Sequence, residues 1–165
     1  DGQPFFSDAH KVGKKTFSNK GTAKLSPESY AAARAAIMSI TDEHGKPLKI
    51  VPDLLVVGPA LDTEGRKILL ADQIEGTTNI LKGTAELLVV PDLAGYDTMW
   101  FLLCTKKPIK PLIYQERQKA KFLSLTNETD ENVFMRKEFL YGADSRGNSG
   151  YAFWQMAYGS DGSAA

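Results

Sequence analysis

Two unbroken apolar runs stand in the middle of the chain, Leu54-Leu55-Val56-Val57 and Leu87-Leu88-Val89-Val90, and a proline follows each within two residues. A strand covered on both faces reads as a continuous apolar run, so residues 53–59 and 84–90 are predicted as buried strands. Ahead of the first run, Ser26-Pro27-Glu28 has the chemistry of a helix start: a capping hydroxyl, a proline for the first turn and an acid for the dipole. Over residues 26–40 the helical period then puts Tyr30, Ala33, Ile37 and Ile40 on one face. Residues 42–47 form a polar turn. Residues 60–70 follow Pro59 as a second helix, with Leu61, Ile68 and Leu69 inward and Gly65 a weak point. The stretch 72–83, with Glu75, Gly76, Thr77 and Asn79, reads as a loop. Residues 99–104, 109–115 and 121–125 read as three more strands, and Pro108 and Pro111 confine their region to an edge or a bend.

Residues 132–159 read as two long strands joined by a polar, glycine-containing turn at 144–150. Strand side chains alternate, which puts Val133, Met135, Lys137, Phe139 and Tyr141 on one face and Phe134, Arg136, Glu138 and Leu140 on the other. The returning strand is aromatic on both faces, with Tyr151 and Phe153 opposite in phase to Trp154 and Tyr158. A two-stranded ribbon of this kind is not stable alone and needs cover. Residues 1–25 lack apolar periodicity and read as loop or weakly paired strand, with Phe5 and Phe6 as anchors. The whole is an α+β fold: a mixed sheet flanked by two main helices, with antiparallel strands at the C-terminus.

At 165 residues, 42% of them apolar and 24% charged, the chain suits one ordinary domain or one with a satellite. Twenty basic and twenty acidic side chains cancel, so no global field draws it to nucleic acid or a membrane. Lys11, Lys14, Lys15, Lys20 and Lys24 nevertheless crowd the first 25 residues, where Asp8 is the only acid after Asp1. Phe17 alone offers a stacking platform there, and a solvated face is the plainer reading. Cys104 lies in an apolar run and is expected to be a buried, inert thiol. A single cysteine forms no intramolecular disulfide, in keeping with a reducing cytoplasm. No apolar stretch approaches the roughly 20 residues that span a bilayer. A chain that opens on Asp1 reads as a fragment or a processed product.

Chemistry has few candidates. Asp8 and His10 are two ligands where a metal site needs more, and His44 sits in a turn. Ser26, Ser39 and Ser149 lack a nucleophile elbow, and no glycine-rich phosphate loop occurs. Glu116 with Glu128, or Asp130 with Glu131, are carboxylates that nothing fixes at a catalytic separation. Asn127-Glu128-Thr129 matches a glycosylation pattern by chance. No catalytic, cofactor-binding or metal residue is assigned, and no enzyme or cofactor is expected. Aromatic residues (Trp100, Phe134, Tyr141, Tyr151, Trp154 and Tyr158) are read mostly as core. Arg136 and Glu138 are candidates for an intersubunit contact, and Arg146 is a lesser one at an exposed turn.

Three segments carry a resemblance: residues 1–10, residues 82–91 and, above all, residues 130–159. The chain resembles the major head subunits of Mu-like tailed phages from Asp1 to about Ser160. The resemblance implies the tailed-phage capsid fold, with residues 1–25 a linker region of the peripheral domain and 26–128 the axial domain. Within the latter, 25–90 is most of the domain and 99–115 completes its sheet. Residues 129–160 would be strands returning to the peripheral domain and 161–165 a tail, while the loop 72–83 would project from the axial tip. The family's N-terminal arm, extended loop and spine helix would lie upstream. The implied role is a structural subunit of a (pro)phage icosahedral head, assembled in the bacterial cytoplasm into capsomers that enclose DNA. Its partners would be copies of itself and the phage's portal, scaffold and protease proteins, with neither membrane nor sequence-specific nucleic acid. Two rivals remain from the residues alone. A small cytoplasmic hydrolase would need a polar pocket at Glu116 or His10, and a nucleic-acid-binding module would use the lysines before Leu25.

Overall fold

The structure is a computed structural model that describes residues 2–74 and 76–164. The chain forms two compact units, residues 1–111 with 151–165, and residues 112–150. The boundaries read from the sequence fall at 25, 128 and 160, whereas the units part at 111 and 150.

The first unit begins with a short hairpin, β1 (His10–Val12) and β2 (Lys15–Phe17), followed by β3 (Lys20–Gly21). Helix α1 (Pro27–Met38) starts at Ser26, which forms a capping box with Ser29. Tyr30, Ala33 and Ile37 line its buried face, and Ile40 is buried just beyond its end. Then come β4 (Leu54–Val57), a 3-10 turn at Pro59–Leu61 and helix α2 (Asp62–Leu70). The second expected helix therefore splits, because Pro59 permits a tight turn before the regular helix takes over at Asp62. Gly65 is a contact point: a Cβ there would lie 2.7 Å from Leu87 Cδ1, so its absence brings α2 close to the sheet.

The expected loop 72–83 contains a minute hairpin, β5 (Gln73–Ile74) and β6 (Thr77–Thr78), with Glu75 outside the described residues. Its far end is tied down. Asn79 is buried and donates to the carbonyls of Ile68 (2.8 Å) and Ala71 (2.9 Å), satisfying groups left open at the end of α2. Strand β7 (Glu86–Val89) departs from the expectation of burial on both faces. It is an edge strand, packed by α2 on one side, and Leu88 is 45% exposed.

Strand β8 (Trp100–Leu103) returns antiparallel to β4, and the last strand of the chain, β11 (Ala157–Ser160), pairs with it on the other side. The resulting sheet is mixed, in the order β3-β11-β8-β4-β7. Leu55, Val57, Trp100, Leu102 and Cys104 face a core shared with Tyr30, Ala33, Ile37, Ile68 and Leu69 from the helices. Val56, Leu103 and Ala157 point the other way, and Phe5 and Phe6 pack over them. The two phenylalanines thus anchor the N-terminal segment, as their place in the sequence predicts. Arg34 fixes α1 to the sheet entrance, donating to the carbonyls of Pro52 (2.9 Å) and Thr84 (3.1 Å). The Trp100 indole donates to the Ala23 carbonyl at 3.0 Å.

The second unit corrects the C-terminal reading most. The two strands expected at 109–115 and 121–125 are one strand, β9 (Leu112–Leu125). Residues 133–136, expected as strand, belong to the short helix α3 (Glu131–Arg136), which ends where Lys137 turns left-handed at φ 54°. The expected turn at 144–150 lies inside β10 (Leu140–Tyr151), the partner of β9. Both faces of this ribbon are open, so polar and glycine residues are as acceptable in its middle as apolar ones. Residues 151–159 are then not one strand: a 3-10 turn at Trp154–Met156 precedes β11.

Two outcomes follow from this packing. Asn19 accepts from the Ser7 amide (2.8 Å) and donates to the carbonyls of Phe5 (2.7 Å) and Trp154 (3.2 Å), joining segments from both ends of the chain. Asn19→Ala leaves buried groups unpaired and should cost roughly 2–3 kcal/mol. Urea unfolding should show a lower midpoint at unchanged slope, and a loss under about 0.5 kcal/mol would show that the knot is dispensable. At the loop 72–83, the hydrogen bond and charge of Lys82 hold the Asp72 carboxyl below its ordinary 3.8. A depressed folded value means that the link acts above pH 3.8 and is lost as pH falls through the lower value. Because the pair is exposed, the effect should be local. Amide exchange at Asn79, whose N–H donates to the Asp72 carbonyl at 2.9 Å, should quicken in Asp72→Asn and on acidification, while the melting temperature holds.

Candidate functional site

The histidine, serine and cysteine candidates do not converge. His10 is buried and stacks on Trp154 with ring centroids 4.0 Å apart and planes 2° from parallel, and its Nε2 lies 3.3 Å from the Phe5 carbonyl. It is a packing residue of the first unit. His44 is exposed beside Glu43, with 3.5 Å between Nε2 and Oε1. Asp42 accepts the His44 and Lys46 amides of its own turn at 2.9 and 2.8 Å. Ser26 caps α1, Ser39 donates to the Ala36 carbonyl at its end, and Ser149 is exposed on β10. Cys104 is buried and free. Among the described residues no three His, Cys, Asp or Glu side chains are grouped to hold a metal ion.

The carboxylates offered as a hydrolytic pair all lie on the second unit. Glu116 and Glu128 are exposed, and Asp130 accepts the Asn127 amide at 2.9 Å ahead of α3. Glu131 sits in the first turn of that helix. Asn127 is exposed in the same segment. Asp130 and Glu131 line an open cleft at the end of the ribbon with Asn132, Arg136 and Glu138, while Glu116 lies apart from them on β9.

What the second unit does present is surface. None of residues 112–150 is buried. Phe134 is 78% exposed, Phe122 72%, Met135 70% and Tyr114 68%. The ribbon is nonetheless well specified. Asn132 donates to the carbonyls of Leu125 (2.9 Å) and Glu138 (2.6 Å), pinning the end of β9 to the start of β10. Phe122 and Tyr141 stack across the strands at 5.9 Å, and Gln118 donates to Asp144 at 3.1 Å. The Tyr114 hydroxyl lies 2.1 Å from where a Cβ on Gly147 would stand, so a side chain there would push that ring aside from where it crosses β10. Large apolar side chains exposed in this number on one unit suit an interaction surface.

The aromatic residues singled out in the sequence divide. Trp100 is 1% exposed, and it lies 5.8 Å from Tyr158 within the core of the first unit. Trp154 is half-buried against His10. Phe134, Tyr141 and Tyr151 are exposed instead of core residues, at 78%, 64% and 63%. Arg136 and Glu138 are exposed where α3 meets β10, while Arg146 lies mid-strand and not at a hairpin tip. The surface residues missed by sequence reasoning are those of β9. Tyr114 and Phe122 do fall on one face of an alternating strand, but the intervening Glu116-Arg117-Gln118-Lys119 hid its continuity.

The chain matches the model of the Mu-like prophage major head subunit gpT over residues 17–93 and 92–164. It is 51% identical over 59 residues to the Mu-like prophage FluMu major head subunit of Haemophilus influenzae, an alignment covering 36% of this chain and 19% of that protein. It is 29% identical over 167 aligned positions to the major capsid protein of Escherichia phage Mu, covering 94% of this chain and 53% of that one. The chain thus spans about half the length of the curated relative it matches almost throughout. A phage-related protein from Bordetella bronchiseptica RB50 superposes with a TM-score of 0.56 at 14% identity, over 98% of this chain and 58% of that one, and so shares the fold. With the family's pattern running from residue 17 to residue 164, the chain belongs to the Mu-like prophage major head subunit family.

Proposed function

We propose that this chain is the C-terminal part of a capsid shell subunit, with no catalytic role, whose copies join in capsomers that enclose DNA in a (pro)phage head. The first unit corresponds to the axial domain. The second unit, residues 112–150, supplies strands to the peripheral domain, with the remainder of the subunit and neighbouring copies as cover. Portal, scaffold and protease proteins of the phage and assembly in the bacterial cytoplasm belong to the same reading.

The observation that carries it is the ribbon. Strands of 14 and 12 residues are held in register by specific contacts yet bury nothing of their own. Isolated two-stranded ribbons are marginal in water, so the apolar groups on this one are explained by partners. Heterologous contacts between identical subunits close into rings and shells, and a shell subunit needs such surface on more than one side. The names of the relatives point the same way: a major head subunit in one case, a major capsid protein in the other.

Light scattering and negative-stain microscopy test the proposal on two proteins, this chain and a family-length subunit that contains it. The chain alone should give monomers or small irregular oligomers, because its cover is missing, and the longer subunit should give closed particles of uniform size. Tyr114→Ser with Phe122→Ser should reduce the irregular oligomers of the chain and abolish particles of the longer subunit. Uniform particles from the chain alone, or from the double variant, would overturn this division of labour.

A further inference from the structure

Beyond the ribbon, the strongest unexplained feature is a lysine-rich corner of the first unit. Between Asp8 and Glu28 the sequence has five lysines and no acid. The β1–β2 hairpin gathers three of them. Lys11 pairs opposite Thr16 and Lys15 opposite Val12, and Lys14 occupies the turn that Gly13 makes at φ 60°. Its base packs through the His10–Trp154 stack, with ring centroids 4.0 Å apart. Its tip meets the 42–47 turn: a Cβ on Gly13 would lie 3.4 Å from Glu43, and one on Gly45 would lie 3.8 Å from Lys15 Nζ. That turn adds Lys46, and Lys49 follows at φ 53°. All five of these lysines are exposed.

Two carboxylates in the same loops, Asp42 and Glu43, offset part of this charge without pairing to any of the five lysines. Asp42 is engaged by two amides of its own turn, and Glu43 sits beside His44. Among the described residues no carboxylate lies within 4.0 Å of Lys11, Lys14, Lys15, Lys46 or Lys49. Three other cations of this unit do have carboxylate partners, Arg66 with Asp62, Lys67 with Glu64 and Lys82 with Asp72. Among the described residues Lys24, Lys106 and Lys107 are unpaired too but are not gathered on one hairpin. Five exposed lysines against two neighbouring carboxylates leave a net positive corner on a chain of zero net charge, which fits a polyanion.

We propose that the β1–β2 hairpin and the adjoining 42–49 loop form a sequence-independent contact for the phosphate backbone of duplex DNA. The surface side chains are lysines, point charges that suit phosphates and do not read base edges. Phe17, the only aromatic residue among the first five lysines, is half-buried beside His10, so no platform exists for unstacked bases. A three-residue strand spans about 10 Å, and a duplex carries roughly six charges over that length. The contact accompanies the shell role, and rests on it for the source of the DNA.

The test is fluorescence anisotropy of a labelled 30-base-pair duplex titrated with the purified chain at several salt concentrations. With about four phosphates neutralised, log K should fall against log salt with a slope between about −3 and −4, or roughly 100-fold between 50 and 200 mM. K11Q/K14Q/K15Q should lower the slope to about −1 and weaken binding at least tenfold, with an unchanged circular dichroism spectrum. R117Q/K119Q/K121Q removes equal charge from β9 and should bind as the parent does. Equal loss in both triple variants, no loss in the first, or a slope shallower than about −1 in the parent would overturn the proposal. So would equally tight binding of poly-glutamate, which would make the partner an acidic protein. Particle formation by the family-length K11Q/K14Q/K15Q subunit separates the two readings. Particles without DNA binding leave the shell intact, and DNA binding without particles leaves the contact intact.

Discussion

Strand β8 is the element on which the first unit depends. It pairs with β4 on one side and with β11 on the other, four residues against four in each case. Its two neighbours come from positions a hundred residues apart in the chain, and the whole ribbon unit is inserted between β8 and β11. Every N–H and C=O of a central strand must find a ladder partner, because unpaired buried backbone groups are costly. β8 therefore cannot be satisfied until the end of the chain has come back. The side chains repeat that demand. Trp100 reaches back to Ala23, Ser160 donates to the same carbonyl at 2.6 Å, and Leu102 is fully buried. A sheet completed by the last strand makes the second unit a closed excursion, entered at 112 and left at 150.

The parts of this fold that could be read in the sequence are those where burial leaves a period or a run. The helix over Tyr30, Ala33 and Ile37 was legible because one face is apolar and its start carries a serine–proline cap. The β4 run was legible because both of its faces are covered. β7 carries the same kind of run, yet it is an edge strand. Four consecutive residues cannot show whether a second neighbour exists, and Leu88 pays no visible penalty for exposure. The resemblance drawn from residues 1–10, 82–91 and 130–159 holds for the chain as a whole. It identified the family where composition and motifs identified nothing.

The ribbon shows the opposite limit. Rules of alternation assume a buried face and a wet one, and β9 and β10 have neither inside their own unit. Glu116-Arg117-Gln118-Lys119 looked like a break between two strands, and Asp144 to Gly150 looked like a turn, because nothing within the unit requires apolar groups there. The strand direction is instead set by cross-strand contacts that leave little trace in one dimension: Gln118 on Asp144, Phe122 on Tyr141, and Tyr114 over Gly147. Helix α3 was missed for a related reason. Six residues are too few to establish a period, and what ends it is a left-handed Lys137, a residue type without turn character.

These two kinds of legibility divide along function. The first unit stabilises itself: its helices, sheet and N-terminal aromatics close around two clusters, and the polar side chains of Asn19, Arg34 and Asn79 are bonded within the unit. The second unit has fixed geometry without fixed burial. A single-purpose soluble domain has no use for Phe134 and Met135 at 78% and 70% exposure, since such groups invite aggregation. The proposed shell subunit would have a use for that surface, and preformed strands would spare the roughly 1–2 kcal/mol per residue of ordering them at each contact. Asn132 and the cross-strand aromatic pair meet that cost in advance. The core of the first unit secures the fold, and the ribbon leaves its apolar groups uncovered within its own unit, as the proposed shell role would require.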